Sequence, residues 1–335
     1  MRSRNLTTFV IGMGLVAATA GTAMAQTVIM ATDRQGSLMN RVGSTMAKAI
    51  TDNSSARVIV RPFGGPDAYM DSLNRGEIKL ATLTASSVYI EVKGQNKSKR
   101  EHKNMRMLRC GPNVIRLGFV VRKDSDIKTV ADLKGKRVTS DFGGHAVLPR
   151  SIAAGLSTAG LTWDDVVKVP VTGVVDGVKS VGQGRTDTSW GPVGMPAVRE
   201  LNAQVGVRFL SFPNTPEKLA KMREIMYPGI KLVTVKKNPA LSVMHDVNLI
   251  TYDTCVVANK DLDDATATKI VEGMWKGTDQ IVKSSPIMRG FSKKTAATDL
   301  PMSPYHPAAV AFYKKQGVWT DAIEKGNEAA KELVK

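Results

Sequence analysis

Residues 60–89, VRPFGGPDAYMDSLNRGEIKLATLTASSVY, decide the fold that we predict for this chain. A β-branched run ends at Gly64-Gly65-Pro66, a short apolar helical face follows, and a second strand covers residues 78–83. The polar sequence at residues 84–87 then opens another helix. Ligands of open α/β sheets bind beyond the carboxyl ends of the strands. The two loops are therefore candidates for half of a small-molecule cleft, although a βαβ unit without a ligand would show the same pattern.

The preceding residues extend this alternation towards the N-terminus. Residues 27–31 form a predicted strand, and the loop at residues 32–37, TDRQGS, leads into a helix. Its apolar stripe consists of Met39, Val42, Met46, Ala49 and Ile50, at helical spacing. Three strands and three helices alternate within about 65 residues, which predicts a parallel sheet.

The same construction returns in the second half of the chain. Residues 136–140 form a strand that ends at FGGH, residues 142–145, and a helix follows. A further strand ends at Trp190-Gly191-Pro192. This restart predicts a second lobe, and the strand-like residues 247–257 carry the chain back to the first one. A long helix at residues 261–284 and two shorter helices, starting at Pro307 and near Thr320, complete the predicted elements.

The N-terminus has the pattern of a secretory signal. Arg2 and Arg4 precede an apolar run at residues 9–18, and Ala23-Met24-Ala25 matches a small-residue cleavage site. We therefore predict a signal peptide at residues 1–25 and a periplasmic mature protein that begins at Gln26. The short apolar run disfavours the alternative of an uncleaved membrane anchor.

Size and charge constrain the remaining possibilities. A chain of 335 residues exceeds one typical core, so two lobes are expected. The formal net charge is +17, and loss of Arg2 and Arg4 with the signal peptide leaves +15. Such a charge suggests an anionic solute, a membrane surface or nucleic acid as partner, and export argues against nucleic acid. Dispersed lysines also serve solubility alone, which is the plainer interpretation of the basic loop at residues 93–103.

The two cysteines, Cys110 and Cys255, lie in strand-like segments of an exported chain. An oxidising compartment permits a disulfide between them, but sequence cannot fix strand partners, so the bridge stays open. No histidine lies within a few residues of either cysteine, which disfavours a metal site. We expect no metal and no cofactor.

Several phrases resemble the TAXI family, the solute-binding subunits of one class of TRAP transporters. They are residues 60–80, VRPFGGPDAYMDSLNRGEIKL, together with VVRKDSDIKTVADLKGKRV, VGMPAVREL, YPG and HPAAVAFYKKQGV. The resemblance covers nearly all of the mature chain. It implies an α/β, two-lobed periplasmic binding fold of type II character, with a sheet flanked by helices in each lobe and a strand hinge. It also implies capture of a small anionic, carboxylate or amino-acid-like solute and delivery to a TRAP-type permease.

The resemblance also implies where the ligand binds. The implied positions are Gly36, Ser37, Phe63, Gly64, Thr84 and Ser86 in lobe one, and Gly143, Gly144, His145, Trp190 and Gly191 in lobe two. Two loops depart from the family pattern, DRQGSLMN in lobe one and FGGHAVL in lobe two, and this puts the identity of the ligand in doubt. Lobe one is expected to comprise residues 26–122 and 247–335, and lobe two residues 123–246.

Each site residue also has an ordinary structural interpretation. Arg34 is a candidate clamp for a carboxylate, or a solvated loop arginine. The hydroxyl groups of Ser37, Thr84 and Ser86 are candidate donors or helix caps. Phe63 and Trp190 line a cleft or belong to the core. His145 contacts an anion or lies in a surface turn.

Other functions fit the sequence less well. It contains no hydrolase, metalloprotease or nucleotide-binding motif in its structural context, and Asp164-Asp165 is better explained as a helix start than as a catalytic pair. We therefore predict a monomeric binding protein and not an enzyme. The alternatives are an ABC-type binding protein for sulfonate-like anions and a periplasmic sensor for a membrane kinase.

Overall fold

The computed structural model describes residues 27–335, so the predicted signal peptide and its cleavage site lie outside the described residues. The strands are β1 (Thr27–Thr32), β2 (Arg57–Pro62), β3 (Leu80–Thr84), β4 (Met105–Gly111), β5 (Leu117–Arg122), β6 (Arg137–Asp141), β7 (Val167–Val171), β8 (Thr188–Pro192), β9 (Val207–Phe209), β10 (Lys231–Val235), β11 (Val247–Thr251) and β12 (Thr254–Asn259). The α-helices are α1 (Leu38–Asn53), α2 (Met70–Asn74), α3 (Ala85–Val92), α4 (Val147–Ser157), α5 (Val174–Gly182), α6 (Pro196–Val205), α7 (Pro216–Ile225), α8 (Asp264–Lys276), α9 (Thr278–Ser284), α10 (Pro307–Lys315) and α11 (Asp321–Leu333).

The strands form two sheets flanked by helices, as predicted. The first sheet has the order β2-β1-β3-β12-β4. β1 pairs in parallel with β2 and β3, which confirms the parallel arrangement expected from the alternation of elements. The returning strand β12 is antiparallel to both of its neighbours, β3 and β4. The first sheet is therefore mixed, and its fourth position is filled by a segment from late in the chain.

The second sheet has the order β10-β11-β5-β8-β6-β7, and β9 adds to β5. β6 is parallel to β7 and β8, whereas β5 is antiparallel to β8, β9 and β11. The strands Leu117–Arg122 and Val247–Thr251 thus belong to the second lobe, although the sequence assigned both to the first. Their backbone pairing moves the crossings between lobes to residues 112–116 and 252–253.

Helix α1 packs against the first sheet through its apolar stripe. The Ser37 side chain accepts a hydrogen bond from the Asn40 backbone N–H at 3.1 Å and starts the helix. All five predicted apolar residues of its stripe are buried. Helices α8 and α9 pack against α1, and a Cβ at Gly277 would lie 2.9 Å from the Ala49 methyl group. This close approach falls where the predicted long helix divides into α8 and α9.

A disulfide joins Cys110 of β4 to Cys255 of β12, two residues that face each other across the antiparallel pair. The bridge therefore ties the late strand to the early part of the same sheet, across 145 residues of sequence.

Beside this bridge, Arg109 is fully buried. Its guanidinium group donates to the carbonyl groups of Met274 and Ser292 at 2.8 and 3.0 Å. Burial lowers the pKa of Arg109 to about 10. The interactions of Arg109 hold the C-terminal helices against β4.

Candidate functional site

Two glycine-containing loops, one from each lobe, are in contact. The loop after β2 contains Gly64 and Gly65, and the loop after β6 contains Gly143 and Gly144. The backbone N–H of Asp67 donates to the carbonyl oxygen of Gly144 at 3.3 Å. A Cβ on Gly65, whose φ is 146°, would collide with that same carbonyl oxygen. We call the region that these loops cover the inter-lobe cleft, and the contact shows that it is closed.

The second-lobe loop has an unusual backbone. Asp141, Phe142 and Gly143 have φ values of 64°, 56° and 64°. A bulky residue rarely adopts this left-handed conformation, and such strain clusters at ligand clamps and switch segments. The buried ring of Phe142 holds the turn in place, since it packs in the core of the second lobe.

The basic loop at residues 93–103 reaches across to this turn. Lys97 forms an ion pair with Asp141, with Nζ and Oδ1 2.6 Å apart. The loop itself is anchored by His102, which lies 2.7 Å from Glu91 and 2.9 Å from Asp71. It is therefore an ordered element of the lobe contact.

Among the predicted site residues, Arg34, Gly64, Gly143, Gly144 and His145 come together. The Arg34 guanidinium lies about 4.0 Å from a Cβ built on Gly64 and 3.7 Å from one built on Gly143. The ring of His145 lies 3.1 Å from a Cβ on Gly65. The structure thus places these loops of the two lobes together, and their contact with a ligand stays a prediction. Gly36 is exposed on the loop before α1 and has no atom near its Cβ position.

The predicted hydroxyl donors serve as helix caps or lie beside them. The Ser37 side chain caps α1, and the Thr84 hydroxyl accepts from the Ser87 N–H at 3.1 Å at the start of α3. The hydroxyl oxygens of Thr84 and Ser86 lie 2.8 Å apart, and both residues are buried. These hydrogen bonds support the capping interpretation, while ligand contact by the same groups stays a prediction.

The aromatic side chain of Phe63 is half-buried and packs on Tyr69, with ring centroids 5.4 Å apart. The guanidinium carbon of Arg61 lies over the Phe63 ring, 5.2 Å from its centre. Phe63 therefore borders the cleft from the first lobe and covers Tyr69.

Trp190 and Gly191 lie in the core of the second lobe, and not on the wall of the cleft where the sequence placed them. The Trp190 ring is fully buried and contacts Phe119 edge-on at 5.1 Å. A Cβ on Gly191 would meet Val178 and Val198, at 3.3 and 3.4 Å. The reason is that β8 is an interior strand, between β5 and β6, and all five of its residues are buried.

Three residues that the sequence analysis did not single out as ligand contacts lie at the cleft: Asp33, Asp67 and Tyr69. Asp33 follows β1 and is only 8% exposed. Burial raises its pKa, and the nearby His145 of the other lobe opposes this rise. Asp33 also adds to the rise in the pKa of Tyr252, which is caused mainly by burial. A polar residue directly after a strand of an open sheet was the signal that could have identified Asp33.

Asp67 is a second acid of the cleft whose pKa is raised. Burial raises its pKa to about 6, the negative charge of Glu91 adds to the rise, and Lys97 opposes it. Both carboxylate oxygens of Asp67 are buried and form no short hydrogen bond, although the backbone N–H groups of Lys97 and of Ala146 in the second lobe lie near enough to lower its pKa. The sequence did not indicate that Asp67 is buried at the cleft, because an acid after Gly64-Gly65-Pro66 is typical of the first turn of a helix.

Tyr69 lies between these acids. Its side chain is 1% exposed, and its hydroxyl group has no hydrogen-bond partner. Burial raises the pKa of Tyr69 well above its usual value, and Asp33, Glu91 and Asp67 each raise it further. Tyr69 directly precedes α2, and its ring lies in the core of the first lobe.

The lobes touch at a second place, between α3 and the segment after α7. The rings of Tyr89 and Tyr227 are 6.3 Å apart, and Tyr227 belongs to the YPG phrase. Arg150 on α4 faces the same region, and burial lowers its pKa while Tyr89 opposes this. The two lobes are therefore in contact at the glycine loops, at Lys97–Asp141 and at Tyr89–Tyr227.

The remaining sequence hypotheses have simple structural outcomes. Asp165 and Thr162 form a reciprocal cap at a short 3₁₀ helix, so Asp165 acts as a helix-start residue. Within residues 27–335, no group of histidine, cysteine or acidic side chains is arranged to hold a metal ion. None of the helices in that part of the chain has both the length and the apolar character needed to cross a membrane. The cleft places buried polar groups between the two lobes, and such groups can form hydrogen bonds to a small polar molecule.

The chain has a two-lobed α/β architecture with polar loops of both lobes at their junction, and this fold is shared with solute-binding proteins. Consistent with this, the NMT1-like family matches residues 30–317, and the chain belongs to that family. Two solved structures share the fold at low sequence identity. A TctC solute binding protein from Polaromonas is 14% identical, with a TM-score of 0.50 and coverage of 78% of this chain and 88% of that one. A periplasmic sulfonate-binding protein SsuA from Methylobacillus flagellatus KT is 13% identical, with a TM-score of 0.50 and 88% coverage of both chains.

Proposed function

We propose that this protein is a periplasmic solute-binding protein that encloses a small anionic solute, carboxylate-bearing or amino-acid-like, between its lobes. The observation that carries this proposal is the direct contact between the two glycine loops, Asp67 N–H to Gly144 carbonyl oxygen, which closes the cleft over buried polar side chains. Hinge closure around a ligand is a recurrent motion of such proteins.

The charges around the cleft support an anionic group on the solute. Arg34 and His145 lie at the junction of the glycine loops. An arginine can hold a carboxylate with two parallel hydrogen bonds. Helix α1 also begins beside this region at Ser37, and backbone N–H groups at a helix start favour negative charge.

The membrane partner that we propose is a TRAP-type permease, because the phrases at residues 60–80, 120–138 and 306–318 resemble the TAXI family. Deletion of the gene for this protein should abolish solute uptake. Transport should be restored by the protein together with the permease encoded beside it, without an ATPase. A requirement for an ATPase would support the ABC-type alternative. Normal uptake combined with lost gene induction would support a sensor.

The name of the Methylobacillus structure gives the sulfonate alternative a specific basis. Carboxylates and sulfonates differ in geometry, since a sulfonate presents three oxygens and a carboxylate two. Calorimetric titration with pairs that share a carbon skeleton and differ only in this group therefore separates the two ligand classes.

Binding is tested first by thermal unfolding of the purified protein against a library of small acids. A ligand present at 100 times its Kd stabilises the folded state by about 2.7 kcal/mol, so a true ligand raises Tm clearly. The absence of any shift for a folded sample across carboxylates, sulfonates and amino acids would overturn the proposal. Mass spectrometry of the bound compound before and after incubation should recover it unchanged, and turnover would indicate an enzyme.

A further inference from the structure

The two chain segments that join the lobes run side by side, but they differ in length. Gly111 pairs with Thr254 in the first sheet, and Leu117 pairs with Ile250 in the second. Between these pairs, five residues of the first segment lie beside three residues of the other. The first segment must therefore take up its extra length in order to span the same gap.

Asn113 takes up this length and ties the two segments together. Its side-chain oxygen accepts a hydrogen bond from the Ile115 backbone N–H at 2.7 Å, which forms a local turn. Its amide nitrogen donates to the Tyr252 carbonyl oxygen and to the Thr254 hydroxyl oxygen, both at 2.8 Å. Asn113 is only 4% exposed, so these hydrogen bonds are shielded from water. Asn113 therefore acts as a clamp between the two crossings.

Backbone hydrogen bonds attach this clamp to the first lobe. The Val114 N–H donates to the Ile287 carbonyl oxygen at 2.8 Å. In the second crossing, the Asp253 carbonyl oxygen accepts from the N–H of Ala85, the first residue of α3, at 2.9 Å. The disulfide of the first sheet lies just beyond. The first lobe thus holds one crossing as far as Val114 and the other from Asp253 onwards.

Arg116 forms the corresponding clamp on the second lobe. Its Nη1 donates to the Thr251 hydroxyl oxygen at 2.8 Å, which joins the end of β11 to the residue before β5. The Arg116 carbonyl oxygen accepts from the Val193 N–H at 2.8 Å. The same Nη1 donates to the Ile115 and Asn113 carbonyl oxygens at 2.8 and 3.0 Å. The second clamp therefore begins within a few residues of the first.

We propose that Asn113 and Arg116 are positioning residues that confine the relative movement of the lobes to one narrow pivot. The pivot comprises Ile115 in the first crossing and the backbone at Thr251-Tyr252 in the second. A few residues at the ends of elements absorb the backbone rotation in hinged proteins. Two such points, held side by side by the clamps, permit rotation about the line that joins them and resist twisting.

This restriction matters at the inter-lobe cleft. The contact between Gly65 and the Gly144 carbonyl group leaves no room for a Cβ atom, so closure requires the two loops to meet in one alignment. A hinge with a single direction of rotation returns them to that alignment. The inference goes beyond the proposed function, because it concerns the motion of the lobes and is independent of which solute binds.

Distances between spin labels on the two lobes test the proposal, with the mature protein and no added ligand. The labels are attached at Lys48→Cys in α1 and at Asp164→Cys in the second lobe, two exposed positions. The native cysteines are bonded to each other, so only the introduced ones react. We expect narrow peaks in the distance distribution of the otherwise wild-type protein, and loss of these narrow peaks in Asn113→Ala and in Arg116→Met.

The matched control is Asn259→Ala. Asn259 is also buried, and its amide nitrogen donates to the Leu73 and Asn74 carbonyl oxygens at 2.8 and 3.1 Å, but all of these groups belong to the first lobe. Asn259→Ala and Asn113→Ala should both lower the urea midpoint of unfolding, since each leaves buried acceptors without a donor. Only Asn113→Ala should broaden the distance distribution.

Peaks that stay as narrow in Asn113→Ala as in the wild type would overturn the inference, and so would equal broadening in Asn259→Ala. If Asn113→Ala does not fold, Asn113→Asp takes its place, because it keeps the shape and the acceptor oxygen and loses both donors. It should give the same broadening, and narrow peaks would again count against the clamp. A failure of every small acid to bind would refute the proposed function and leave this measurement valid.

Discussion

Gly65 is a residue at which the backbones of the two lobes lie close together. Its φ of 146° is accessible to glycine and strained for other residues. Any side chain would also meet the Gly144 carbonyl group of the second lobe. Gly64-Gly65, which the sequence predicts to end a strand, is therefore also needed for closure of the inter-lobe cleft.

We expect Gly65→Ala to weaken ligand affinity by about 5- to 150-fold, because a misfitting methyl group in a packed contact costs about 1–3 kcal/mol. Calorimetric titration with the ligand found by screening provides the measurement. The matched control is Gly173→Ala, where no atom lies within 4 Å of the Cβ position. Unchanged affinity in Gly65→Ala would mean that the glycine loops do not approach in the bound state.

His102 is the residue that should make stability depend on pH near neutrality. Burial lowers its pKa, but the hydrogen bonds to Glu91 and Asp71 outweigh this and raise the pKa above 6.5. The native state therefore binds the proton more tightly than the unfolded chain. The stabilisation is complete below pH 6.5 and is lost as the pH rises through the native pKa.

The free energy of unfolding of the wild type, measured in urea, should exceed that of His102→Asn by about 1–3 kcal/mol at pH 6, and the gap should narrow at pH 8.5. The exposed His245 provides the control, since His245→Asn should have no such effect. A gap of the same size at both pH values would rule out a charged His102 as its cause.

At the scale of elements, the sequence predicted most strands and helices because hydrophobic periodicity reports local burial. It also predicted that the loops at residues 63–65 and 142–145 face one cleft, and the structure brings these loops into contact, while their binding of a ligand stays a prediction. Strand order was beyond its reach, since pairing of β12 with β3 and β4 depends on contacts between residues that are far apart in sequence. The same limit explains Trp190, because nothing in the local sequence shows that β8 lies inside the sheet and is buried along its whole length.

The pair β4 and β12 carries the disulfide between Cys110 and Cys255. Reduction should lower the free energy of unfolding by about 2–5 kcal/mol, as for other native bridges. Urea unfolding with and without reductant measures this, and a Cys110→Ser/Cys255→Ser double variant should show the lower stability and no response to reductant. Equal stability of the reduced and oxidised wild type would contradict a structural role for the bridge.

At the scale of the whole molecule, two crossings at residues 112–116 and 252–253 join the lobes. The cross-lobe pair Lys97–Asp141 has both side chains about half exposed, so it contributes at most about 1 kcal/mol. Closure without ligand therefore rests on a few weak contacts and the packing of Tyr89 on Tyr227. Such weak contacts between the lobes are suited to a protein whose lobes separate to release a solute.

Small-angle X-ray scattering should show a smaller radius of gyration in the presence of saturating ligand than in its absence. The scattering curve of the liganded protein should match the closed form described above. Gly65→Ala at the same ligand occupancy should retain a larger radius, because its lobes cannot approach fully. Identical curves for the free and liganded wild type would exclude closure by ligand.

The position of β12 has a consequence for biogenesis. Strands β3 and β4 of the first sheet are not neighbours, because β12 separates them, and β12 begins only at Thr254. The second lobe is continuous from β5 to β11, so its strands are all available earlier. During synthesis, the first sheet must wait with two unpaired edges until residue 259 has emerged. Unpaired edges invite association with other chains, so the first lobe is exposed to such association until its own late strand inserts.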